Sequence, residues 1–584
     1  MLSWPKHLYR IVRITTPSGV GQVLRPAQHD VLFYAFPSWP SGKLSSMMSW
    51  LLNVGIGWLL LLSPAVARPL IAPAPAVFNI LDYGARASPT VSSQAAIQRA
   101  IEACARAGGG QVLVPAGTFA TASIYLKSNI DLHLASGATL LALPDSTLYR
   151  NDKAGLLDAG DSFIPALVVA KDLTNIRLSG PGTIRGVPRF ASVLVSAPDA
   201  YPGWTANAQR AGVDMHAPRV RDPKLSLVYI SGCQNVTLQN IQVINSPNWS
   251  CHLQWSQDVT VRGVRISSSL ERGANSDGLD IDGCKRVLVS NCIIRTGDDA
   301  ICLKTTRQGG RSETCEDITV TNCILSSSSC ALKIGTETNA DFRRILFTNC
   351  TLSDSNRGLG IIVRDGAAVE HVVFSNIVLD CRRKPFFWWG NGEAFHFTVL
   401  KRKASSRVGH IAHVRISGLS GRVEGTSTIT GFAGEGAAAY SSISEVELAD
   451  IDLTMRPESE RDTRASDGLS IQNAEQLGLR NVRLTWDAPT PQPNWRHGLA
   501  LHTVRDFRIE QFERLGATPS LAALRLADTQ RGWLAWPALA PAGPVYCQVA
   551  GAQTKELRIQ AAGAKRLPQL AVEPAAHKAV TLLP

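Results

Sequence analysis

The chain has 584 residues, 45% hydrophobic and 18% charged, which is enough apolar material for a large core and excludes a disordered or low-complexity protein. Its formal charge of +12 suits an acidic partner, and equally suits an ordinary solvated basic surface. None of the 12 cysteines forms a C-x-x-C pair, which argues against a structural zinc site.

Residues 1–67 read as an N-terminal extension and signal peptide. An apolar run at 50–62 follows Lys43 and precedes Ala65-Val66-Ala67, small residues suited to cleavage. The run is shorter than the roughly 20 residues a membrane span needs. Met47 or Met48 would be a more ordinary start. We expect a mature chain from about Arg68 that is exported, periplasmic or secreted, soluble, free of the membrane and monomeric.

Residues 68–127 carry a first strand around Val77-Phe78-Asn79 and then an amphipathic segment at 93–107. Ile97, Ala100, Ile101 and Cys104 fall at i, i+3, i+4, i+7, the spacing of one buried helix face. Gly108-Gly109-Gly110 ends the helix, and Gln111 to Val114 reads as a strand.

From about residue 128 the pattern changes to short strands with alternating apolar residues, each opened by a polar residue. The openers are Asn129, Asn175, Asn235, Asp258, Arg286, Asp317, Arg344 and His371. Val236, Val259, Val287, Ile318, Ile345 and Val372 recur at a nearly constant interval. Self-similarity at this period means a stacked solenoid. All-strand units make it a right-handed parallel β-helix, an all-β fold whose open N-terminal end the helix would cap. Asn291-Cys292, Asn322-Cys323 and Asn349-Cys350 share one phase, so these cysteines read as a buried stack rather than disulfides. The solenoid is expected over 128–515, with the repeats loosening after Asp380 and a closing segment at 516–584.

The stretch 275–304 concentrates Asp277, Asp280, Asp282, Asp298 and Asp299. Crowded like charges repel and lose hydration, so stability does not explain them. The interval from Asp277 to Asp298 is close to one coil, and Asp298 adjoins Asp299. The coil period therefore brings three carboxylates to one side of the stack. Gly278, Gly283 and Gly297 are expected to permit the turns that splay them outward. Repulsion should leave at least one carboxyl protonated beside ionised neighbours, the combination glycoside hydrolysis requires. Asp280 and Asp282 alternate with Leu279 and Ile281 and would satisfy turn backbone or shape the rung.

Asn275-Ser276-Asp277-Gly278 followed by Gly297-Asp298-Asp299-Ala300 resembles the paired motifs of glycoside hydrolase family 28, the polygalacturonase family. The resemblance covers about residues 78–380. It implies an inverting hydrolase of pectic or related acidic polysaccharide. Asp298 would be the general acid, and Asp277 and Asp299 would position and deprotonate water. It implies a polysaccharide or oligosaccharide partner, no nucleic acid, no cofactor and no metal.

The family's His falls at Cys330, and its Arg-Ile-Lys at Gly360-Ile361-Ile362, so its basic groups are missing. Lys333, Arg357 and Arg364 are candidate replacements. Asn275, Lys333 and Arg364, with Trp389 and Glu393 from the aromatic run at 386–389 and its flank, are the expected substrate-binding residues. His396, His410 and His413 lack metal-ligand spacing. A β-helix polysaccharide lyase and a non-catalytic carbohydrate-binding solenoid are the alternative readings.

Overall fold

The computed structural model describes residues 76–583 apart from 157–163, 187–192, 197–215, 220–223, 272, 274, 385–389, 433, 435–441, 460–462, 488–491, 517–520, 538–544 and 561–566. Met1–Pro73 forms a separate unit, described only at one antiparallel pair, Ile14–Thr16 with Gly19–Gly21. The expected signal run at 50–62 and its cleavage site lie outside the described residues.

The main unit, Ala74–Pro584, is a right-handed parallel β-helix. Each coil contributes strands to three columns. The first, here the cleft sheet, stacks Ala166–Lys171, Ser226–Ser231, Cys251–Gln254, Leu279–Asp282, Ile301–Thr305, Cys330–Thr338, Arg357–Val363 and Glu393–Val399. The valine and isoleucine column of the sequence is the observed register of the second sheet. Val236, Val259, Val287, Ile318, Ile345 and Val372 pair in turn, all buried.

The polar residue that opens each repeat has a physical task. Asn129, Asn175, Asn235, Asp258, Arg286, Asp317, Arg344 and His371 all adopt left-handed backbone, with φ between 55° and 62°. That conformation turns the corner into the second sheet, and it costs a residue with a Cβ roughly 1–2 kcal/mol. The stack offsets the cost by pairing the corner side chains from coil to coil. Asn175 donates to Asn129 and Asn235 to Asn175, each at 2.8 Å. Arg286 pairs with Asp258 and Arg344 with Asp317, both at 2.6 Å. His371 stacks on His413.

The helix Gln94–Arg106 covers the N-terminal end with the predicted face, burying Ile97, Ala100, Ile101 and Cys104. It also completes the backbone bonding of an end strand. The Gln98 amide accepts from Tyr125 N at 2.9 Å and donates to Tyr125 O at 3.1 Å, as a neighbouring strand would. Gly109 and Gly110 serve close approach as well as turning. A Cβ on either would lie 2.5 or 2.4 Å from a backbone oxygen of the adjoining strand.

The stack begins at Val77–Asn79, the strand expected ahead of the helix, which pairs with Gly110–Val114. One boundary differs from expectation: the stack runs past 515. Leu499–Gly516 pairs with Leu524–Ala527 and Gln530–Ala535, and further coils end at Val580–Leu583. The late strands are longer: Leu469–Trp486 runs through successive sheets and turns at Asn473, Gln476 and Asn481, all in left-handed backbone. All 12 cysteines are buried free thiols, as the stacked reading expects.

Ile318 is 1% exposed between Val287 and Ile345. Ile318→Ala is expected to cost about 2–5 kcal/mol in urea unfolding. Arg344→Ala, at the exposed corner, should move the midpoint far less.

Candidate active site

Three consecutive strands of the cleft sheet build the site. In Leu279–Asp282 and Ile301–Thr305 the side chains alternate between core and outer face, and the pattern continues over 332–334. Leu279, Ile281, Ile301, Leu303, Leu332 and Ile334 enter the core, while Asp280, Asp282, Cys302, Lys304 and Lys333 face outward. Leu279 pairs with Ile301, so this coil is one position longer than the interval from Asp277 to Asp298. The register thus aligns Asp277 with Asp299, not with Asp298, and Gly278 N donates to Asp299 O at 2.8 Å. Asp298 stands one residue ahead.

The expected role of the glycines needs correction. Only Gly283 has left-handed backbone, at φ 58°. Gly278 and Gly297 are required because the chains approach closely. A Cβ at Gly278 would lie 2.4 Å from Ala300 O, and one at Gly297 2.3 Å from Ser269 O.

Asp277, Asp298 and Asp299 each present an oxygen within 4.8 Å of the others, and all three are buried. Asp298 accepts from Asn275 N at 3.1 Å and Asp299 N at 3.0 Å. Asp299 accepts from Ser329 Oγ at 2.8 Å, Cys330 N at 3.2 Å and Lys333 Nζ at 2.5 Å. Lys304 Nζ lies 3.4 Å from Asp277, 3.5 Å from Asp280 and 3.4 Å from Glu337. Asp277 Oδ1 is buried and accepts no protein hydrogen bond. Among the described residues these three carboxylates are the group that could ligate a cation. Lys304 and Lys333 already supply positive charge there.

The two adjacent aspartates ionise in opposite directions. Burial, then the charges of Asp277 and Asp299, push the Asp298 carboxyl well above its ordinary range. Burial also acts upward on Asp299, but Lys333 and Lys304 outweigh it and hold Asp299 below that range. Asp277 is raised by burial, against the opposing pull of Lys304. Asp280 is raised well up by burial and by Asp277. Ionised Asp299 thus stabilises the fold above the ordinary carboxylate range and loses that contribution as pH falls through its folded value; Asp298 has the reverse sign.

The structure brings Lys333 and the backbone of exposed Asn275 to the acids. It does not bring Glu393. That side chain is buried, bonded to Arg357 at 2.5 Å and to Asn391 N, so it is committed to the scaffold rather than to a sugar hydroxyl. Arg357 is committed with it. Arg364 lies beyond the end of Arg357–Val363, its backbone N donating to Thr338 at 2.9 Å. The position in register with Lys333 on that coil is Gly360. Trp389 lies outside the described residues. Asp282 holds the rung, accepting from Thr306 N at 2.7 Å and lying 2.9 Å from His252 Nε2.

Lys304 and Glu337 were not anticipated. The signal for Lys304 was present, because Asp280 and Asp282 alternate in one strand as Cys302 and Lys304 do in the next. Glu337 has no such signal; its carboxyl is pushed up by burial but held down at about 2 by Lys304 and Arg402.

The class of protein defined here is a right-handed parallel β-helix with a buried aspartate cluster on consecutive rungs. The sequence profile of glycosyl hydrolases family 28 matches residues 104–476, and the chain belongs to that family. It is similar to an exo-poly-alpha-D-galacturonosidase of Dickeya chrysanthemi, 30% identical over 39% of this chain and 42% of that protein. It is also similar to an endo-polygalacturonase of Pectobacterium carotovorum subsp. carotovorum, 28% identical over 41% of this chain and 58% of that protein. The matched region thus spans about half the length of these relatives. In fold it resembles an exopolygalacturonase of Thermotoga maritima, 22% identical with a TM-score of 0.55, over 70% of this chain and 93% of that one.

Lys333→Met removes the cation that holds Asp299 ionised. The Asp299 carboxyl should then titrate at higher pH, read by carbon-13 NMR of labelled aspartate. An unchanged midpoint would mean that Lys333 does not set it.

Proposed function

We propose that the protein hydrolyses glycosidic bonds of a pectic, acidic polysaccharide through Asp277, Asp298 and Asp299. The opposed ionisation of Asp298 and Asp299 carries this reading. Protonated Asp298 is placed to protonate the leaving glycosidic oxygen. Ionised Asp299 and the open acceptor of Asp277 are placed to orient a water and take its proton.

The clustered oxygens are closer than the roughly 6.5–9.5 Å usual between the carboxyls of an inverting pair. Inversion here requires the water to stand at the edge of the triangle, held by two carboxylates, rather than between acid and base. An acidic substrate is supported by the names of the relatives, by the chain's positive charge and by Lys333 at the site mouth, its side chain 12% exposed. Export, with residues 1–67 as the leader, is the matching proposal for location, since such a polymer lies outside the cell.

Asp298→Asn should lower kcat on polygalacturonate by about 10²–10⁴-fold with the circular dichroism spectrum unchanged. Activity retained in that variant would remove Asp298 as the acid. An unsaturated, ultraviolet-absorbing product would indicate a lyase instead.

The wild-type pH profile should be bell-shaped. Its acid limb belongs to Asp277 and Asp299 together, and Asp277, raised by burial, places it above the position that Asp299 alone would give. Its alkaline limb belongs to Asp298 and lies well above the ordinary carboxylate range. Proton NMR of the first-formed anomer tests inversion directly.

A further inference from the structure

The relatives include both exo- and endo-acting enzymes, so the mode of attack has to come from this chain's own cleft. The outward row of the cleft sheet passes through Val169, Tyr229, His252 and Asp280 before it reaches the rungs of the acids. These side chains would form the floor of a continuous groove. Instead they are sealed, with exposures of 2%, 1%, 0% and 0%.

The cover comes from two connections. In the connection between Ala138–Ala142 and Ala166–Lys171, residues 152–156 and 164 lie as a strap over the outer face of the sheet. Leu156 forms a backbone bridge to Gln308, and Gln308 Nε2 donates to Ala154 O at 2.7 Å. Gln308 follows the strand Ile301–Thr305, four rungs from Ala166–Lys171. That distance is about 19 Å at the usual strand spacing.

The strap is anchored through its described residues. Lys153 is 0% exposed, donates to Ser226 Oγ at 2.7 Å and lies over the Tyr229 ring. Lys171 Nζ donates to Asp152 O at 2.7 Å. Leu156 and Ile164 pack on Trp249, which comes from the second connection. Lys153 and Lys304 both place their ammonium groups against the Trp249 ring, so the wall stands directly beside the acids.

On the other side the row stays partly accessible. Lys333 is followed in register by Gly360, His396, Thr428 and Ser470; Gly360 is buried and the other three are half-buried, with His396 Nε2 itself shielded. Among the described residues the cleft is therefore closed on its N-terminal side and open on its C-terminal side.

We infer that the protein is exo-acting: a polysaccharide terminus, and not an internal segment, reaches Asp298 and stops against the strap and Trp249. This rests on the glycosidase reading above and adds its mode. A polymer cannot pass through a walled cleft, so each hydrolysis releases one short unit of fixed length.

The test follows viscosity against reducing ends on polygalacturonate and sizes the earliest products by mass spectrometry. One small product, monomer or dimer, with a slow fall in viscosity is expected. A ladder of oligomers with an early collapse of viscosity overturns the exo assignment and leaves the glycosidase reading intact. No release from any pectic polymer or oligosaccharide overturns both. The double variant Leu156→Ser, Gln308→Ala loosens the strap without touching the acids. With an unchanged far-ultraviolet spectrum, it should raise the share of longer products at least several-fold. An unchanged single product from the folded variant removes the strap as the cause.

Discussion

Backbone hydrogen bonding between coils is the constraint on which everything else depends. It holds successive rungs about 4.8 Å apart and makes every residue the neighbour of its counterpart one coil away. Side chains of equal phase must therefore tolerate each other along the whole stack. Apolar positions do so as aliphatic columns, cysteines as buried thiols and asparagines through amide chains at the corners. Where the corner residues become charged, acid and base alternate from coil to coil, as Asp258 with Arg286 and Asp317 with Arg344 do.

The aspartate cluster is the place where this tolerance fails by arrangement. Register puts Asp277 beside Asp299, and Asp298 adds a third carboxyl at the same corner. Buried like charges cost far more here than at the solvated corners, because neither water nor salt screens them. Lys304 and Lys333 answer the excess from the outward faces of the neighbouring strands, unequally. Lys333 bonds to Asp299, and Lys304 lies between Asp277, Asp280 and Glu337. The two backbone amides that Asp298 accepts favour its ionised form, but burial and the charges of Asp277 and Asp299 outweigh them, so its proton is the one retained. One electrostatic imbalance therefore separates an acid from a base among chemically identical groups.

Burying the polar outer face of a sheet is unusual, and it depends on the connections rather than on the rungs. Tyr229, His252 and Asp280 occupy positions that a bare solenoid leaves wet. Trp249 and the strap around Lys153 cover them and bring cations against aromatic rings, so the cover packs as a small second core.

The coil period, the inward columns, the capping helix and the aspartate cluster were all legible in the amino-acid sequence, because each is written in local alternation or in a repeat. Local pattern also carried false leads. The period weakens over the last coils, beyond 515, and Glu393 reads as a substrate contact until its partner Arg357, a coil away, is seen. Spacing alone pointed to Asp277 and Asp298 as counterparts, whereas the coil is one position longer and pairs Asp277 with Asp299. The sequence by itself thus determined the kind of fold and the chemistry of the site, since both follow from which residue types recur at which interval. Only the tertiary structure decided which aspartate keeps its proton and which side of the cleft is walled. Those outcomes depend on contacts such as Lys333 with Asp299 and Leu156 with Gln308, made between coils whose separation no local pattern encodes.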